Sequence, residues 1–550
     1  MDQTSPDRWW PKPLLLSLAS GILLWAAFPP LGIAPLAWGA LVPVLLLIYA
    51  QPRPDRRRRW YLLVWLVSSL HWLLLIQGIR LSHWSTYFGW LPLGLYLGIY
   101  LPLFIGLTRV AVHCCRWPLM LAAPLTWTGL ELVRGHALSG FSMGLLAHTQ
   151  VHFTTLIQLS DLVGAYGVSF LVVLVNAALA AGLVAQPGSR PHGRLLAAVL
   201  AVVLATSYGW LRGEPSAAGD QARSVKIALL QGVIDTTYDH DPTERRRMAE
   251  TYQQLSVDAS QEHPDLIVWP ESMFPYGPEY FPDDPATLHI EREKFELQKR
   301  NFQRAVEYLL DLVNESEGGG EVPGPDTHLI LGTGVEHVDE PSRPYYNAAL
   351  WIQPDGTVGG RYYKSHLVTF GEYVPLGDRF PWLYRLMPFP EGVTPGTRPS
   401  SFTINGVRIS PSICFESTVP HFMRRQVSTL TAQGLPPDMM INITNDGWFW
   451  GSSVLDLHLA CSVFRAVELR LPMLIAANTG FSAVIDSQGK ISQQGPRREP
   501  AVLFQSVQVG AIRFSLYRYT GDLFGIGAAL VCLVLAGIGW RQRRAIRRQE

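Results

Sequence analysis

Two hydrophobic patterns divide the chain. Long apolar runs lie near 12–28, 32–50, 60–79, 89–108, 118–134, 162–184, 195–211 and 521–540. About 20 apolar residues in helical form cross the hydrocarbon core of a bilayer. These runs therefore predict eight transmembrane helices, seven before residue 214 and one near the C-terminus. The run at 12–28 is short, and those at 118–134 and 195–211 are the next weakest. Between 223 and 514 the pattern changes. Short β-like runs at Val225–Gln231, Leu266–Trp269, His328–Gly332, Asn347–Ile352, Val407–Cys414, Met439–Ile443, Met473–Ala477 and Ser482–Ile485 alternate with amphipathic stretches at 242–262, 291–315, 418–431 and 455–470. Such alternation predicts α/β layers. Asp241-Pro242 supplies an N-cap and a proline at the first helical position. The expected organisation is a seven-helix membrane domain over 1–213, a linker over 214–222, an α/β domain over 223–514, a transmembrane helix within 515–540 and a basic tail over 541–550.

Charge orients the spans. The formal net charge of +1 says nothing about partners, and nothing in it suggests nucleic acid, but the arginines are clustered. Arg53 and Arg56 to Arg59, then Arg109 and Arg116, then Arg190 and Arg194, fall in alternate connections, and Arg541, Arg543, Arg544, Arg547 and Arg548 follow the last span. The intervening loops 29–32 and 135–160 carry no Lys or Arg except Arg134 at their edge, and 80–88 carries only Arg80. Positive loops stay in the cytoplasm. Eight spans then put both termini inside and the α/β domain outside. With Arg8 and Lys12 before a short apolar core, the first run also reads as a cleaved signal peptide; its loss would leave the other orientations unchanged.

The five cysteines, Cys114, Cys115, Cys414, Cys461 and Cys532, form no CxxC pair, so neither a zinc site nor a redox dithiol is indicated. Two long loops, 273–284 and 380–390, are rich in proline and aromatics. In a domain tethered at both ends by spans, such aromatics are expected at the bilayer interface, where Trp and Tyr are enriched.

Three short motifs carry the chemistry. Trp269-Pro270-Glu271-Ser272 ends a buried strand on a carboxylate, a position where α/β domains place reactive groups. Tyr362-Tyr363-Lys364-Ser365-His366 supplies an ammonium, and Glu372, eight residues on, is placed to pair with it. Ile413-Cys414-Phe415-Glu416-Ser417 puts a thiol at a strand-to-helix turn, where N–H groups favour anionic sulfur. Each residue alone has an ordinary structural reading: a loop acid, a snorkelling lysine, an inert thiol. Together they are a base, an oxyanion stabiliser and a nucleophile for acyl transfer. Gly140-Phe141-Ser142-Met143-Gly144 matches the G-x-S-x-G pattern but lacks its strand–turn–helix context. His458, Cys461, Arg465 and Glu468 are accounted for by helix-face packing and an Arg–Glu pair. No Walker loop, HExxH or dinucleotide fingerprint is present, and no metal or cofactor is expected.

The ordered set Glu271, Lys364, Cys414 resembles the nitrilase superfamily, whose members use a Glu-Lys-Cys triad on an αββα sandwich. The supporting segments are Trp269 to Ser272, Tyr363 to Pro375, Ile413 to Ser417, Asn442 to Phe449 and Ala477 to Gly480. With spans on both sides and Leu516-Tyr-Arg-Tyr-Thr-Gly-Asp522 before the last one, the chain is similar over its length to the apolipoprotein N-acyltransferase family. The resemblance implies a nitrilase-like (CN hydrolase) domain on the periplasmic side of the bacterial inner membrane. It also implies transfer of an acyl chain from a phospholipid, through a thioester, to the α-amino group of a diacylglyceryl-modified lipoprotein cysteine. Glu271, Lys364 and Cys414 take the triad positions, with Phe415, Glu372 and Glu416 supporting. A monomer is expected. Two departures stand out: Gln231-Gly232 is followed by Val-Ile-Asp-Thr-Thr-Tyr-Asp-His without the family's nearby tryptophan, and Phe415 stands where tyrosine is common. The rival readings are a membrane-tethered amidase with water as acceptor, and a lipoprotein-binding scaffold without catalysis.

Overall fold

A computed structural model describes residues 13–49, 57–81, 83–184, 191–213, 223–236, 242–284, 286–314, 327–377, 379–386, 392–510 and 513–548. Arg53, Arg56, Arg190, Asp241, the linker 214–222 and the end of the 380–390 loop lie outside these residues. The chain forms two compact units, one of Met1–Gln77, Tyr87–Gly213 and Leu516–Glu550, the other of Gly78–Thr86 and Glu214–Ser515.

The first unit is helical. Among the described residues four helices are long and apolar enough to cross a membrane: Trp84–His113, Ala165–Leu183, His192–Leu211 and Leu523–Ala545. Pro13–Ala27 and Ala34–Tyr49 are apolar but shorter. Arg57–Leu75 and Leu119–His136 are helical where spans are predicted, but less apolar; the first opens on three arginines and the second carries Glu131 and Arg134. Local chemistry explains the interruptions. The Ala34–Tyr49 stretch breaks around Leu41, whose N–H donates to buried Asn176 Oδ1 at 2.8 Å, while Asn176 Nδ2 donates to Ala37 O at 2.9 Å. One side chain thus satisfies backbone groups that the break frees, as a site without water requires. Arg109 Nη1 donates to the carbonyls of Leu47 and Ile48, both at 3.0 Å, closing that helix's C-terminal end. Helix 119–136 meets helix 523–547 so closely at Gly129 that a Cβ there would lie 2.5 Å from Ala528 O. Small residues at such crossings let membrane helices pack by backbone contact.

The second unit is a four-layer sandwich. Its described strands are β1 (Arg223–Gln231), β2 (Leu266–Val268), β3 (Glu279–Phe281), β4 (His328–His337), β5 (Tyr345–Ile352), β6 (Val358–Tyr363), β7 (Phe402–Ile404), β8 (Val407–Ile413), β9 (Met439–Thr444), β10 (Met473–Ala477), β11 (Ala483–Ile485), β12 (Ile491–Gln494) and β13 (Ala501–Val509). One sheet runs β13-β1-β2-β4-β5-β6 with β3 beside β4; the other runs β12-β11-β10-β9-β8-β7. The central pairs β1–β2, β2–β4, β8–β9 and β9–β10 are parallel, as is the short β3–β4 pair, and the outer pairs such as β1–β13 and β5–β6 are antiparallel.

Alternation along each strand builds two cores. Val225, Ile227 and Leu229 of β1, Leu266 and Val268 of β2 and Ile330 of β4 pack between the sheets against Ile409, Ile413, Met439, Ile441, Ile443 and Leu474. Ala228, Leu230, Ile267, Trp269, Leu329 and Leu331 face the other way, onto Tyr252, Leu255 and Ala259 of helix 242–260 and Phe302, Val306 and Leu309 of helix 292–314. Strands buried on both faces read as continuous apolar runs, which is why these were legible. Helices 420–432 and 454–469 belong to the second sheet; Gln426 Nε2 donates to Ser410 Oγ of β8 at 2.8 Å.

The aromatic loops divide. Phe274 is buried against Trp269 and Phe302, so the expectation of an exposed 273–284 loop fails for it: its ring completes the sheet–helix core. Phe380 and Trp382 are exposed. Ser142 of the G-x-S-x-G match is buried in the helical unit, and among the described residues its hydroxyl has no base beside it.

Candidate active site

Glu271 stands two residues beyond the end of Trp269, whose N–H continues the ladder to Ile330 O at 2.8 Å. The turn is tight: Ser272 has φ +60°, and a Cβ on Gly332 of β4 would fall 2.1 Å from Pro270 O and 2.7 Å from Glu271 Cα. Only glycine at 332 lets the carboxylate-bearing loop lie flat on β4. Gly332→Ala is expected to cost about 1–3 kcal/mol of stability, the range for forced overpacking. It should also displace Glu271 and so shift the pH profile of Cys414 alkylation; a melting curve and iodoacetamide labelling check the two effects.

Glu271 sits at the centre of a buried polar group. Its Oε1 accepts from Lys364 Nζ at 2.9 Å and from Asn347 Nδ2 at 2.7 Å, and its Oε2 accepts from the backbone N–H of Asn445 at 2.9 Å. Lys364, 1% exposed, follows the end of β6 and donates also to Glu372 Oε1 at 2.8 Å. Glu372 is held in turn by Val368 N–H at 2.8 Å and Asn347 Nδ2 at 3.2 Å. Burial alone would depress Lys364, but the carboxylates of Glu271 and Glu372 outweigh it and hold the ammonium well above its usual range.

Cys414 caps β8 at φ +52°, the first residue of a short 3₁₀ turn, Cys414–Thr418. A non-glycine residue in the left-handed region costs of order 1–3 kcal/mol and persists only where its surroundings enforce it. Here Glu416 enforces it. Completely buried, its carboxylate accepts from Ile413 N–H at 2.7 Å, Tyr362 OH at 2.7 Å, Ser365 N–H at 2.7 Å and His366 N–H at 3.0 Å. Burial lifts its pKa to about 7 against the pull of these four donors. Glu416 thereby ties the turn carrying Cys414 to the loop carrying Lys364. The Phe415 ring stacks on His366 with centroids 5.8 Å apart.

The Cys414 thiol feels Glu271, Lys364 and Asp446 together. Burial comes first in pushing its pKa well above the ordinary thiol value, and the Glu271 carboxylate adds to that; Lys364 opposes. The resting sulfur is protonated at neutral pH. Alkylation of Cys414 by iodoacetamide is therefore expected to be slower at pH 7 than that of a free thiol and to keep rising past pH 9; a plateau below pH 8 would contradict this sign.

Comparison with known proteins shows the family. The apolipoprotein N-acyltransferase N-terminal domain model matches residues 20–178, and the carbon-nitrogen hydrolase model matches residues 226–515. The chain is 31% identical over 565 residues to an apolipoprotein N-acyltransferase of Rhodopirellula baltica, covering 95% of this chain and 96% of the relative. The chain belongs to the apolipoprotein N-acyltransferase family. An apolipoprotein N-acyltransferase of Geobacter metallireducens is 32% identical, covering 96% of this chain and 95% of its own. Among solved structures, Saccharomyces cerevisiae Nit3, a member of branch 10 of the nitrilase superfamily, is 15% identical with a TM-score of 0.35, covering 55% of this chain and 94% of its own. An amidase from Nesterenkonia sp. is 15% identical with a TM-score of 0.34, covering 54% of this chain and 95% of its own.

In this apolipoprotein N-acyltransferase relative Glu271, Lys364 and Glu372 lie together beside Cys414, and two further groups were not singled out from the sequence. Asn347 bridges Glu271 and Glu372 from β5, and its place inside an apolar run, Asn347-Ala-Ala-Leu, is the one signal for it. Asn445 supplies a backbone donor, which no side-chain motif reveals. His458, read from sequence as a packed helix residue, is indeed buried on its helix but also makes polar contacts beneath Cys414. It lies 3.1 Å from Cys414 O through Nε2 and 3.0 Å from Asp446 Oδ1 through Nδ1. Arg465 and Glu468 do pair, at 2.7 Å, both buried.

Proposed function

We propose that the chain is the membrane-embedded enzyme that completes lipoprotein acylation, with Cys414 as nucleophile, Glu271 as general base and acid, and Lys364 as the charged oxyanion donor. The observation that carries the reading is the Glu271–Lys364–Glu372 group facing the Cys414 thiol in a member of this family. A protonated thiol beside a carboxylate needs its proton taken as attack proceeds, and Glu271 is the carboxylate in place for it.

Glu271 accepts the thiol proton while sulfur attacks an ester carbonyl of a phospholipid. The tetrahedral oxyanion is met by the Lys364 ammonium, two of whose three N–H donors already hold carboxylates, and by the N–H of Phe415. Collapse breaks the ester C–O bond, Glu271 returns the proton to the departing lysophospholipid, and a thioester remains on Cys414. The α-amino group of a diacylglyceryl-cysteine then attacks the thioester, and Glu271 takes its proton and passes it to the leaving thiolate. The cycle is ping-pong. An α-amino group with a pKa near roughly 8 is partly neutral around pH 7, so it serves as the acceptor nucleophile. Glu372 fixes Lys364, and Glu416 fixes the turn of Cys414.

Eight spans, residues 1–213 with 521–540, would carry the domain at 223–514 on the periplasmic side, with the tail 541–550 in the cytoplasm. The distribution of Arg53 to Arg59, Arg109, Arg116 and the tail arginines supports that orientation. Single-cysteine labelling tests it. In a variant lacking the other cysteines, an impermeant maleimide added to intact cells should react at an introduced surface cysteine of the domain and not at one in the tail; the reverse pattern would overturn it. Exposed Phe380 and Trp382 sit well to engage lipid at the bilayer surface. We take the enzyme as a monomer.

The product distinguishes the reading from an amidase. Purified protein supplied with phospholipid and a synthetic diacylglyceryl lipopeptide should yield N-acylated peptide and lysophospholipid in equal amounts. Free fatty acid without acylated peptide would favour hydrolysis instead.

A further inference from the structure

Beneath the nucleophile a chain of hydrogen bonds runs from Thr444 to the Cys414 carbonyl. The Thr444 hydroxyl at the end of β9 is close enough to the thiol to favour its ionised form. The same hydroxyl donates to Asp446 Oδ1 at 3.1 Å. Asp446 Oδ1 lies 3.0 Å from His458 Nδ1, and His458 Nε2 lies 3.1 Å from the Cys414 carbonyl oxygen and 2.9 Å from Ser417 Oγ. Asp446 and His458 are both buried, 3% and 4% exposed. Asp446 Oδ2 occupies the space that a Cβ on Gly480 would need, 2.2 Å from its ideal position.

Two of these contacts bear on the reaction. Ser417 and Asn442 also reach the Cys414 carbonyl, at 3.2 Å and 3.3 Å, but His458 is the shortest of the three and the one able to take a charge. Burial alone would depress its pKa, yet the Asp446 carboxylate reverses that and raises it. When protonated it donates from both nitrogens: one N–H holds the carbonyl of a residue forced to positive φ, the other neutralises a carboxylate that works against a thiolate at Cys414. The Thr444 hydroxyl points to Asp446 while sulfur is protonated. When sulfur loses its proton, the hydroxyl is free to turn to the thiolate, because His458 still satisfies Asp446.

We propose that His458, paired with Asp446, is a positioning residue for the acyl-transfer reaction: it fixes the Cys414 turn through the carbonyl and shields the developing thiolate from the Asp446 charge. This rests on Cys414 being the nucleophile.

The full chain in detergent, as His458→Ala, His458→Gln and the double variant His458→Ala/Asp446→Asn, tests it with two readouts on the Cys414 peptide. One is single-turnover acylation by a dioleoyl phospholipid in mixed micelles; the other is the pH profile of iodoacetamide alkylation. In His458→Ala, acylation should fall about a hundredfold, the scale of a nucleophile displaced by about 1 Å, and the alkylation profile should move to higher pH. Adding Asp446→Asn should bring the profile back, a coupling that lost packing alone would not produce. His458→Gln restores a donor to the carbonyl without charge, so acylation should partly recover while the profile stays displaced. An alkylation profile unmoved in a folded His458→Ala, or unmoved in His458→Gln if the alanine variant does not fold, overturns the proposal. Profiles that move as expected in a protein whose unvaried form is never acylated would instead sink the reading of Cys414 as nucleophile.

Discussion

Cys414→Ala should abolish N-acylation, by about four orders of magnitude or more, the scale on which removal of a covalent nucleophile acts. The reasoning starts from the turn. Alanine accepts φ +52° at the same cost as cysteine, and the four donors to Glu416 that hold the turn are untouched. Stability should therefore change by less than about 1 kcal/mol, as a one-atom truncation at a partly buried site allows. A melting curve superimposable on the unvaried protein, together with absent acyl transfer, separates lost chemistry from lost fold. Cys414→Ser keeps the shape and exchanges the thiol for a far weaker acid, so it should be nearly as inactive.

Lys364→Ala should lower turnover by about 10²–10³, the loss that follows removal of an oxyanion donor, and should destabilise the domain by about 3–5 kcal/mol, the usual cost of leaving a buried charge unpaired. Both effects come from one geometry. Oε1 of Glu271 and Oε1 of Glu372 bond the same ammonium, at 2.9 and 2.8 Å. Without it, two carboxylates share the Asn347 amide and face each other, so one must take a proton. If Glu271 takes it, the base is lost along with the oxyanion donor. Steady-state turnover and chemical denaturation measured on the same preparation check the pair; a variant with normal stability and a near-normal rate would remove Lys364 from the mechanism.

Much of this was legible in the sequence, for identifiable reasons. β1, β2 and β4 are buried on both faces and carry the apolar runs Ile227–Leu230, Leu266–Trp269 and Leu329–Leu331, and Glu271 stands just past one of them; β6 and β8, which lead to Lys364 and Cys414, are mixed and show their ends by the motifs Tyr362-Tyr363-Lys364 and Ile413-Cys414-Phe415. Helices 242–260 and 292–314 show the 3.6-residue stripe of a surface helix. Most of what escaped is polar or short. β3, β7 and β12 are elements of three or four residues with little apolar signal, and β6 carries Gly359, Gly360 and Arg361; β13, nine residues from Ala501 to Val509, was missed although Val502, Leu503, Phe504, Val507 and Val509 lie in it. Asp446 and His458 look like any acid and any helix histidine until β9 and helix 454–469 bring them beneath Cys414. The membrane unit was harder. Apolar run length does not show that Asn176 lets a helix break at Leu41, or that Pro102 interrupts the stretch between Tyr87–Gly98 and Tyr100–His113 by lacking an N–H for the carbonyl four residues earlier.

The central claim is that Cys414 sulfur carries the acyl chain between two lipid substrates. Intact-protein and peptide mass spectrometry after incubation with phospholipid alone, before any acceptor is added, addresses it directly. The account predicts one acyl group on the Cys414 peptide, labile to hydroxylamine and discharged when lipopeptide is supplied. Acyl transfer to lipopeptide with no adduct ever trapped on Cys414, or an adduct that persists in Cys414→Ala, would contradict it.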